Sequence, residues 1–541
     1  MKKLIALLLV LCMVLSLAAC GDSGSGNNPG GDKQPTGSGT KDPTDSGSSK
    51  DPSPRPTSPD GSGETTQPNE SNETTAPNVS DGDLSNVSNP LGLNSLLLAA
   101  YFENALFNGD SERPAEMTMD MIAGIQTVAF TSESWEETST LEIQTYYVTN
   151  KDTAASEEDY KYTSAYIFCD LDFTPDLSGD TLDAIWEDLK LVEKLQGFGV
   201  SQIPIENLSG LAHHSNLSGV ILEDVAGLTS LAGLESSAKL KSLTCRDCGD
   251  LSDISALAGS NALTDVTFEN CSISDLSVMT GFTKLNTLYI QNCPISDIAP
   301  LANLPKLEKM TLQGTNVTAL PAGGTTKLEY LYANHNNGNS GDGLSDITHI
   351  SEWLAEDCDV YLSGCPISDL SGFVGSPAID SLSLGNTLIT DESLKVFQQI
   401  TVESLSLGHA NSESHFTDLS GLAGCTFTEL SLTGCSVTDL SPLLSCPNLT
   451  YLDLQASAVT DVSCLATMPE LKNLYLGYTE VSDVSALAAC PKLEYLSLRN
   501  CKNITDISAL AASASLKTIA VDYDAFKDLS AFENTSIEVS Y

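Results

Sequence analysis

Basic side chains are scarce in this chain of 541 residues: 25 lysines and arginines stand against 72 aspartates and glutamates, a formal net charge of −47. A surface of that sign repels nucleic-acid phosphates and anionic lipid head groups, so no nucleic-acid partner is expected. It favours solubility and would attract a basic partner. Histidine is rarer still, six in all, and only His213 and His214 lie close together, on a connecting segment. The chain has no G-x-S-x-G, H-E-x-x-H, Walker loop or G-x-G-x-x-G. The chemistries that need those motifs therefore lack their residues. Carboxylates are abundant, but no spacing singles out a glycosidase pair. Zinc needs clustered Cys and His, and the one close cysteine pair, Cys245 and Cys248, has no second pair nearby. No catalytic residue, metal or cofactor is expected, and the chain reads as a non-enzyme. Beyond its first twenty residues no apolar run is long enough to span a bilayer.

Those first residues carry the one hydrophobic stretch. Lys2 and Lys3 precede an apolar run from Leu4 to Leu17, too short for a span and right for a secretory leader. Leu17-Ala18-Ala19-Cys20 closes it and resembles the bacterial lipobox, which implies cleavage after residue 19 and a lipidated Cys20. Acyl chains there would hold the membrane at about 0.8 kcal/mol per buried methylene. Residues 20–91 are mostly Gly, Ser, Pro, Thr, Asn and Asp. They cannot bury enough surface to offset chain entropy and are expected to form a disordered linker spanning roughly 45 Å. Everything after Cys20 is then expected on the extracellular face of the bacterial cell membrane, held by lipid. The envelope type stays open.

From Leu195 onward the chain repeats itself. Two consecutive units read LTDVTFENCSISDLSVMTGFTK from Leu263 and LNTLYIQNCPISDIAPLANLPK from Leu285. Unit starts fall at Leu195, Leu217, Leu240, Leu263, Leu285, Leu307, Leu328, Asp357, Ile379, Val402, Phe427, Leu449, Leu471, Leu493 and Leu516, with a partial strand from Ile537. That is about 15 repeats, with long units of 29 residues from Leu328 and 25 from Val402. A fixed period of this size means a solenoid. Positions 1, 4 and 6, such as Leu285, Leu288 and Ile290, place one face of a short strand in the core. A second cluster, such as Ile295, Ile298, Leu301 and Leu304, packs the opposite wall. The expected fold is an α/β solenoid: a curved parallel β-sheet with short turns, 3-10 or helical segments on the convex side.

The pattern over 195–541 resembles the internalin-like 22-residue leucine-rich repeats of bacterial surface proteins. That resemblance implies a concave sheet that binds protein or carbohydrate. This chain departs from the best-known members in lacking a C-terminal sorting motif, and the lipid on Cys20 would replace that anchor.

Two columns of the repeat explain residue types that otherwise suggest chemistry. Cys248, Cys271, Cys293, Cys365, Cys435 and Cys501 occupy the ninth position, where other units have Thr315, Thr387, Ser457, Thr479 or Asn336. In leucine-rich repeats this side chain points inward and satisfies backbone groups at the turn, so small buried thiols are expected rather than a disulfide framework. Asp275, Asp297, Asp369, Asp391, Asp439, Asp461, Asp483 and Asp528 fall at the thirteenth position, and Asp253 and Asp506 one later. A short acceptor there is expected to cap the helical turn that follows. No calcium ladder is read from this column.

Residues 92–194 read as an N-terminal cap or a small α+β subdomain. Met117 to Phe130 suits a lead-in to a first strand, and Leu141–Val148 and Tyr166–Phe173 suit strands. Leu182, Ile185, Trp186 and Leu189 share a helical face.

Strand positions 2, 3, 5, 7 and 8 are expected to face out along the sheet. Tyrosines collect there in two groups: Tyr289, Tyr330, Tyr332 and Tyr361, then Tyr451, Tyr475, Tyr478, Tyr495 and Tyr523. Between them the same columns hold Ser381, Ser383, Ser404, Ser406 and Ser431. Tyrosine is favoured on exposed strands in any case, but it also supplies rigid contact area with a polar tip, and its clustering marks these nine as ligand-binding candidates. The inserted loop from His335 to Asp346 follows the strand carrying Tyr330 and Tyr332, a usual place for specificity. Its Asn337, Asn339, Asp342 and Asp346 lack the spacing of a calcium loop. The leading reading is a lipid-anchored cell-surface binding protein, in adhesion or interaction, with a protein or carbohydrate ligand on the concave face. The alternatives are an extracellular enzyme with its activity in 92–194 and the repeats as a targeting arm, or a passive surface scaffold.

Overall fold

Alternation of apolar and polar residues over about five positions makes a short strand with one buried face. In the computed structural model, which describes residues 92–95, 123, 125–135, 138–148, 160–170, 179–335, 343–410, 414–523, 525–526 and 528–541, every unit makes one such strand. The leader, Cys20 and the linker lie outside the described residues, as do Asn336, Asn337, Asn339 and Asp342. In chain order the strands are β4 (Gly197–Ser201), β5 (Gly219–Glu223), β6 (Ser242–Arg246), β7 (Asp265–Glu269), β8 (Thr287–Gln291) and β9 (Lys309–Gln313). Then follow β10 (Leu328–Tyr332), β11 (Leu354–Tyr361), β12 (Ile379–Ser383), β13 (Val402–Ser406) and β14 (Glu429–Ser431). The last are β15 (Tyr451–Asp453), β16 (Asn473–Tyr475), β17 (Tyr495–Ser497), β18 (Thr518–Ala520) and β19 (Glu538–Ser540). Each pairs in parallel with the next, and equivalent positions meet: Leu430 with Leu452, Leu452 with Leu474, Leu474 with Leu496. The result is an open parallel sheet forming one wall of a solenoid.

Positions 1, 4 and 6 of the units from Leu195 to Leu516 are buried, as at Leu285, Leu288 and Ile290 or Leu471, Leu474 and Leu476, except for the exposed Asp357. Each such leucine contributes about 2 kcal/mol of burial free energy. The opposite wall is a stack of short 3-10 helices, such as Ser277–Gly281 and Ser485–Ala489. Ile295, Ile298, Leu301 and Leu304 of that wall are all buried. The helix preceding β11 is a single turn, α2 (Ile350–Trp353), whose buried Trp353 donates from Nε1 to the Pro321 carbonyl at 2.9 Å.

Apart from Glu392, the residue before each described 3-10 turn is apolar, Leu276 or Val484 for instance, and none makes a side-chain cap. The aspartate one residue earlier does that work. Asp275 accepts from the Ser277 N–H at 2.7 Å, and Asp439, Asp461, Asp483 and Asp506 accept from Ser441, Ser463, Ser485 and Ser508 at 2.8 Å each. Asp391 differs: it reaches the next unit, where it accepts from the N–H groups of Thr417 and Asp418.

The ninth position satisfies carbonyls in two ways. Thr315, Thr387, Ser457 and Thr479 donate to the position-6 carbonyl of their own unit at 2.6–2.8 Å. Cys271, Cys365, Cys435 and Cys501 reach back to that carbonyl in the preceding unit, at 3.6, 3.0, 3.3 and 3.0 Å. The twelve cysteines from Cys245 to Cys501 are free thiols. Burial pushes Cys365 up to about 11 and Cys435 up to about 12, which keeps them protonated and unreactive.

At the other end the sheet continues past β4. Strand β1 (Ile125–Trp135) pairs in parallel with β4 and antiparallel with β2 (Thr138–Val148), which pairs antiparallel with β3 (Tyr160–Asp170). Helix α1 (Gly179–Leu189) buries Leu182, Ile185, Trp186 and Leu189 against the first repeat. Trp186 lies over Gly210, where an added Cβ would sit 2.3 Å from the ring. The buried carboxylate of Asp188 accepts from the N–H groups of Asn94 and Ser95 and from Asn94 Nδ2, at 3.0, 2.6 and 2.8 Å. Among the described residues no helix is long and apolar enough to cross a membrane.

The backbone hydrogen bond from two residues on, joined by the serine hydroxyl, holds the Asp439, Asp461 and Asp483 carboxyls below the usual aspartate range. A lowered folded-state value stabilises the fold above about pH 4, and this contribution is lost as pH falls through it. The triple variant Asp439→Ala, Asp461→Ala, Asp483→Ala should therefore melt below the parent at neutral pH. In thermal melts the gap should close progressively as the pH drops below about 4.

Candidate binding surface

The parallel register decides which outward side chains become neighbours. At position 3 the sequence of partners is Lys309, Tyr330, Asp359, Ser381, Ser404, Glu429, then Tyr451, Asn473 and Tyr495. At position 5 it is Thr311, Tyr332, Tyr361, Ser383, Ser406, Ser431, then Asp453 and Tyr475.

Three of the first-group tyrosines meet. The rings of Tyr330 and Tyr332 lie nearly parallel, 5° apart with centroids 6.4 Å apart, and Tyr361 tilts against both at 5.6 and 5.9 Å. Tyr289 stands apart, with Thr311 between it and Tyr332, and its hydroxyl donates to the Gln291 side chain. Partial burial raises the Tyr330 and Tyr361 phenols above the usual tyrosine value, with Asp359 adding to it at Tyr361.

Three of the second group form a continuous row. Tyr475 sits between Tyr451 and Tyr495, 5.1 Å from each with a 41° tilt on both sides. All three are half-buried. Burial, followed by the neighbouring Asp453, raises the Tyr451 phenol. For Tyr475 the causes in order are burial, Tyr495 and Asp453. These phenols are neutral hydrogen-bonding groups at physiological pH. Rings in contact on a rigid sheet lose little conformational freedom on binding, which is what a contact surface needs.

Tyr478 and Tyr523 do not join the row. Both occupy the eighth position, which the structure shows to be a turn and not a strand site. There the chain leaves the sheet with φ between +52° and +58° at Gln202, Asp224, Asp247, Asn270, Asn292, Asn386, Ala456 and Asn500, and at +60° for Tyr478. Gly314, Gly364 and Gly434 fill the same position. An alanine-sized Cβ at Gly434 would lie 1.8 Å from the His409 carbonyl, so the column tolerates little else there. Asn and Asp adopt this left-handed region readily and here also link units: Asn292 donates to Asn270 at 2.8 Å and Asn270 to Asp247 at 2.6 Å. Tyr478 is 64% exposed, and Tyr523, 79% exposed, packs edge-on against Tyr541 at 5.6 Å. At Tyr478 the expectation that position 8 faces out along the sheet thus fails for a backbone reason: the side chain leaves from a left-handed turn.

Sequence reasoning passed over the carboxylates of the same face. Asp359, Glu429 and Asp453 stand in the two tyrosine columns, and the column numbering was the signal that would have found them. Among the described residues no group of three or more His, Cys, Asp or Glu is placed to hold a metal ion.

A family model for leucine-rich repeats (two copies) matches residues 469–512. No curated protein matches the chain. Among solved structures it is similar to the TLR13–ssRNA13 complex, with TM-score 0.52 and 19% identity over 66% of this chain and 55% of that one. It is also similar to an internalin from Listeria monocytogenes, at 0.40 and 22% over 61% and 87%. A third is the functional domain of InlJ from Listeria monocytogenes, which includes a cysteine ladder, at 0.39 and 18% over 62% and 70%. Identities this low speak to fold alone. The family match and the ladder of parallel strands define a leucine-rich-repeat solenoid.

Tyr478 is the bulkiest side chain held at positive φ in the eighth column. Replacing it with the asparagine used elsewhere, Tyr478→Asn, should stabilise the protein by about 1 kcal/mol, read as a raised midpoint in denaturant unfolding.

Proposed function

We propose that this chain is a lipid-anchored cell-surface binding protein that takes a protein or glycan ligand on the tyrosine-bearing face of its sheet. The observation that carries the reading is the row of Tyr451, Tyr475 and Tyr495, three half-buried rings in successive contact on adjacent strands. β-Propensity alone would place single tyrosines on exposed strands. It gives no reason for three to adjoin, in two columns, where the flanking units carry Glu429 and Ser431 on one side and Thr518 and Ala520 on the other. Aromatic side chains so arranged are the usual energetic centre of an interface. The anchor rests on the leader and on Cys20, which place the solenoid on the outer face of the membrane at the end of a polar linker.

Replacing Tyr451, Tyr475 and Tyr495 together with serine should abolish capture of surface-protein and glycan ligands in a binding screen at physiological salt, while the melting temperature holds. Retained binding would remove the site. Cys20→Ser should move the protein from the membrane fraction to the soluble fraction and end its metabolic labelling by fatty acid. Labelling that persists would remove the anchor.

A further inference from the structure

The two tyrosine groups bound a trough. Between Tyr361 on β11 and Tyr451 on β15 lie four strand-to-strand steps, about 19 Å at the usual spacing. The floor in that interval is low. Positions 3 and 5 carry Ser381, Ser383, Ser404, Ser406 and Ser431, and position 7 carries Gly385 and Gly408. A Cβ added at Gly385 would come within 2.6 Å of the Gly408 carbonyl, so no side chain rises there. Apart from the bounding tyrosines and Gln455, whose Nε2 donates to Asp453 at 3.2 Å, the larger groups are acidic. Across positions 2, 3, 5 and 7 of these five strands stand Asp359, Asp380, Glu403, Glu429 and Asp453, with no Lys, Arg or His. Among the described residues the ion pairs involve other carboxylates, such as Glu392 with Lys395 and Glu494 with Lys517, and none of these five. Such a face is uncompensated: carboxylates, a flat hydroxyl floor, and at each end a phenol ring beside a carboxylate, Tyr361 with Asp359 and Tyr451 with Asp453. A ring next to a carboxylate suits an ammonium or guanidinium group.

We propose that the trough between β11 and β15 binds an extended peptide segment of about six residues that carries lysine or arginine, its cations on Asp359, Glu429 and Asp453 and its backbone over the serine floor. The length follows from about 3.3 Å per extended residue across the trough. A neutral glycan would leave the charge uncompensated, and an acidic segment would be repelled. This inference rests on the sheet face being the binding surface.

The test uses the full chain and fluorescent Gly/Ser hexapeptides bearing two arginines, two aspartates or neither, read by anisotropy. The arginine peptide should bind at least about tenfold more tightly than the others and weaken about tenfold between about 50 and 500 mM NaCl. The triple variant Asp359→Asn, Glu429→Gln, Asp453→Asn should lose that preference with an unchanged melting temperature. If the triple variant melts early, Glu429→Gln alone, at an exposed site, should still weaken the arginine peptide roughly threefold. An arginine peptide that binds no better than the neutral one, or a preference that survives neutralisation, overturns the inference. A ligand lost with the three-tyrosine variant but indifferent to neutralisation overturns the cationic occupant and leaves the surface standing. Ligands indifferent to both sets of substitutions overturn both.

Discussion

The solenoid depends on parallel pairing in register from one unit to the next, with irregularities between β4 and β19 only on the two sides of β11. Leu430, Leu452, Leu474 and Leu496 meet position for position, and so do the residues beside them. A slip of one residue would turn the inner leucines to solvent and the outward residues into the core, so the register is fixed by burial on one side alone. Once it is fixed, every position of the unit becomes a column running the length of the solenoid, and each column carries its own physical demand.

Those demands account for residue types that look chemical in isolation. The ninth column needs a small inward donor for a carbonyl at the end of the strand, and Cys, Thr and Ser interchange there because each supplies one. The eighth needs a left-handed backbone, hence Gly, Asn and Asp. The thirteenth needs a short acceptor two residues before an N–H of the 3-10 turn, hence Asp. Part of the acidity and part of the cysteine content is thus structural. What remains after these columns are removed is the outward face, where no packing rule selects the residue.

Much of the fold was legible because periodicity is a strong signal. The unit starts fall at the strand's first residue or two before it, except Asp357, which lies inside β11. The inner face, the opposite wall and the buried face of α1 follow from the same apolar spacing. The outward columns were legible as residue lists, which is why the tyrosines were found. The ring contacts were not, since whether Tyr475 touches Tyr451 or Tyr332 touches Tyr361 depends on the lateral register and the rotamers. Tyr478 was placed on the sheet because counting cannot show a change in the sign of φ. Asp359, Glu429 and Asp453 fall in the tyrosine columns by the same count and were passed over as surface charge. The antiparallel pairing of β1, β2 and β3 was also beyond counting, because those strands lie outside the repeat.

The most direct measurement is amide hydrogen exchange on the full chain, free and with a captured ligand. A ligand on the sheet face should slow exchange in β11 to β17, above all around Tyr361, Tyr451 and Tyr475, and leave the 3-10 turns of the opposite wall unchanged. Protection confined to those turns, or to β1, β2 and β3, would contradict a binding site on the sheet.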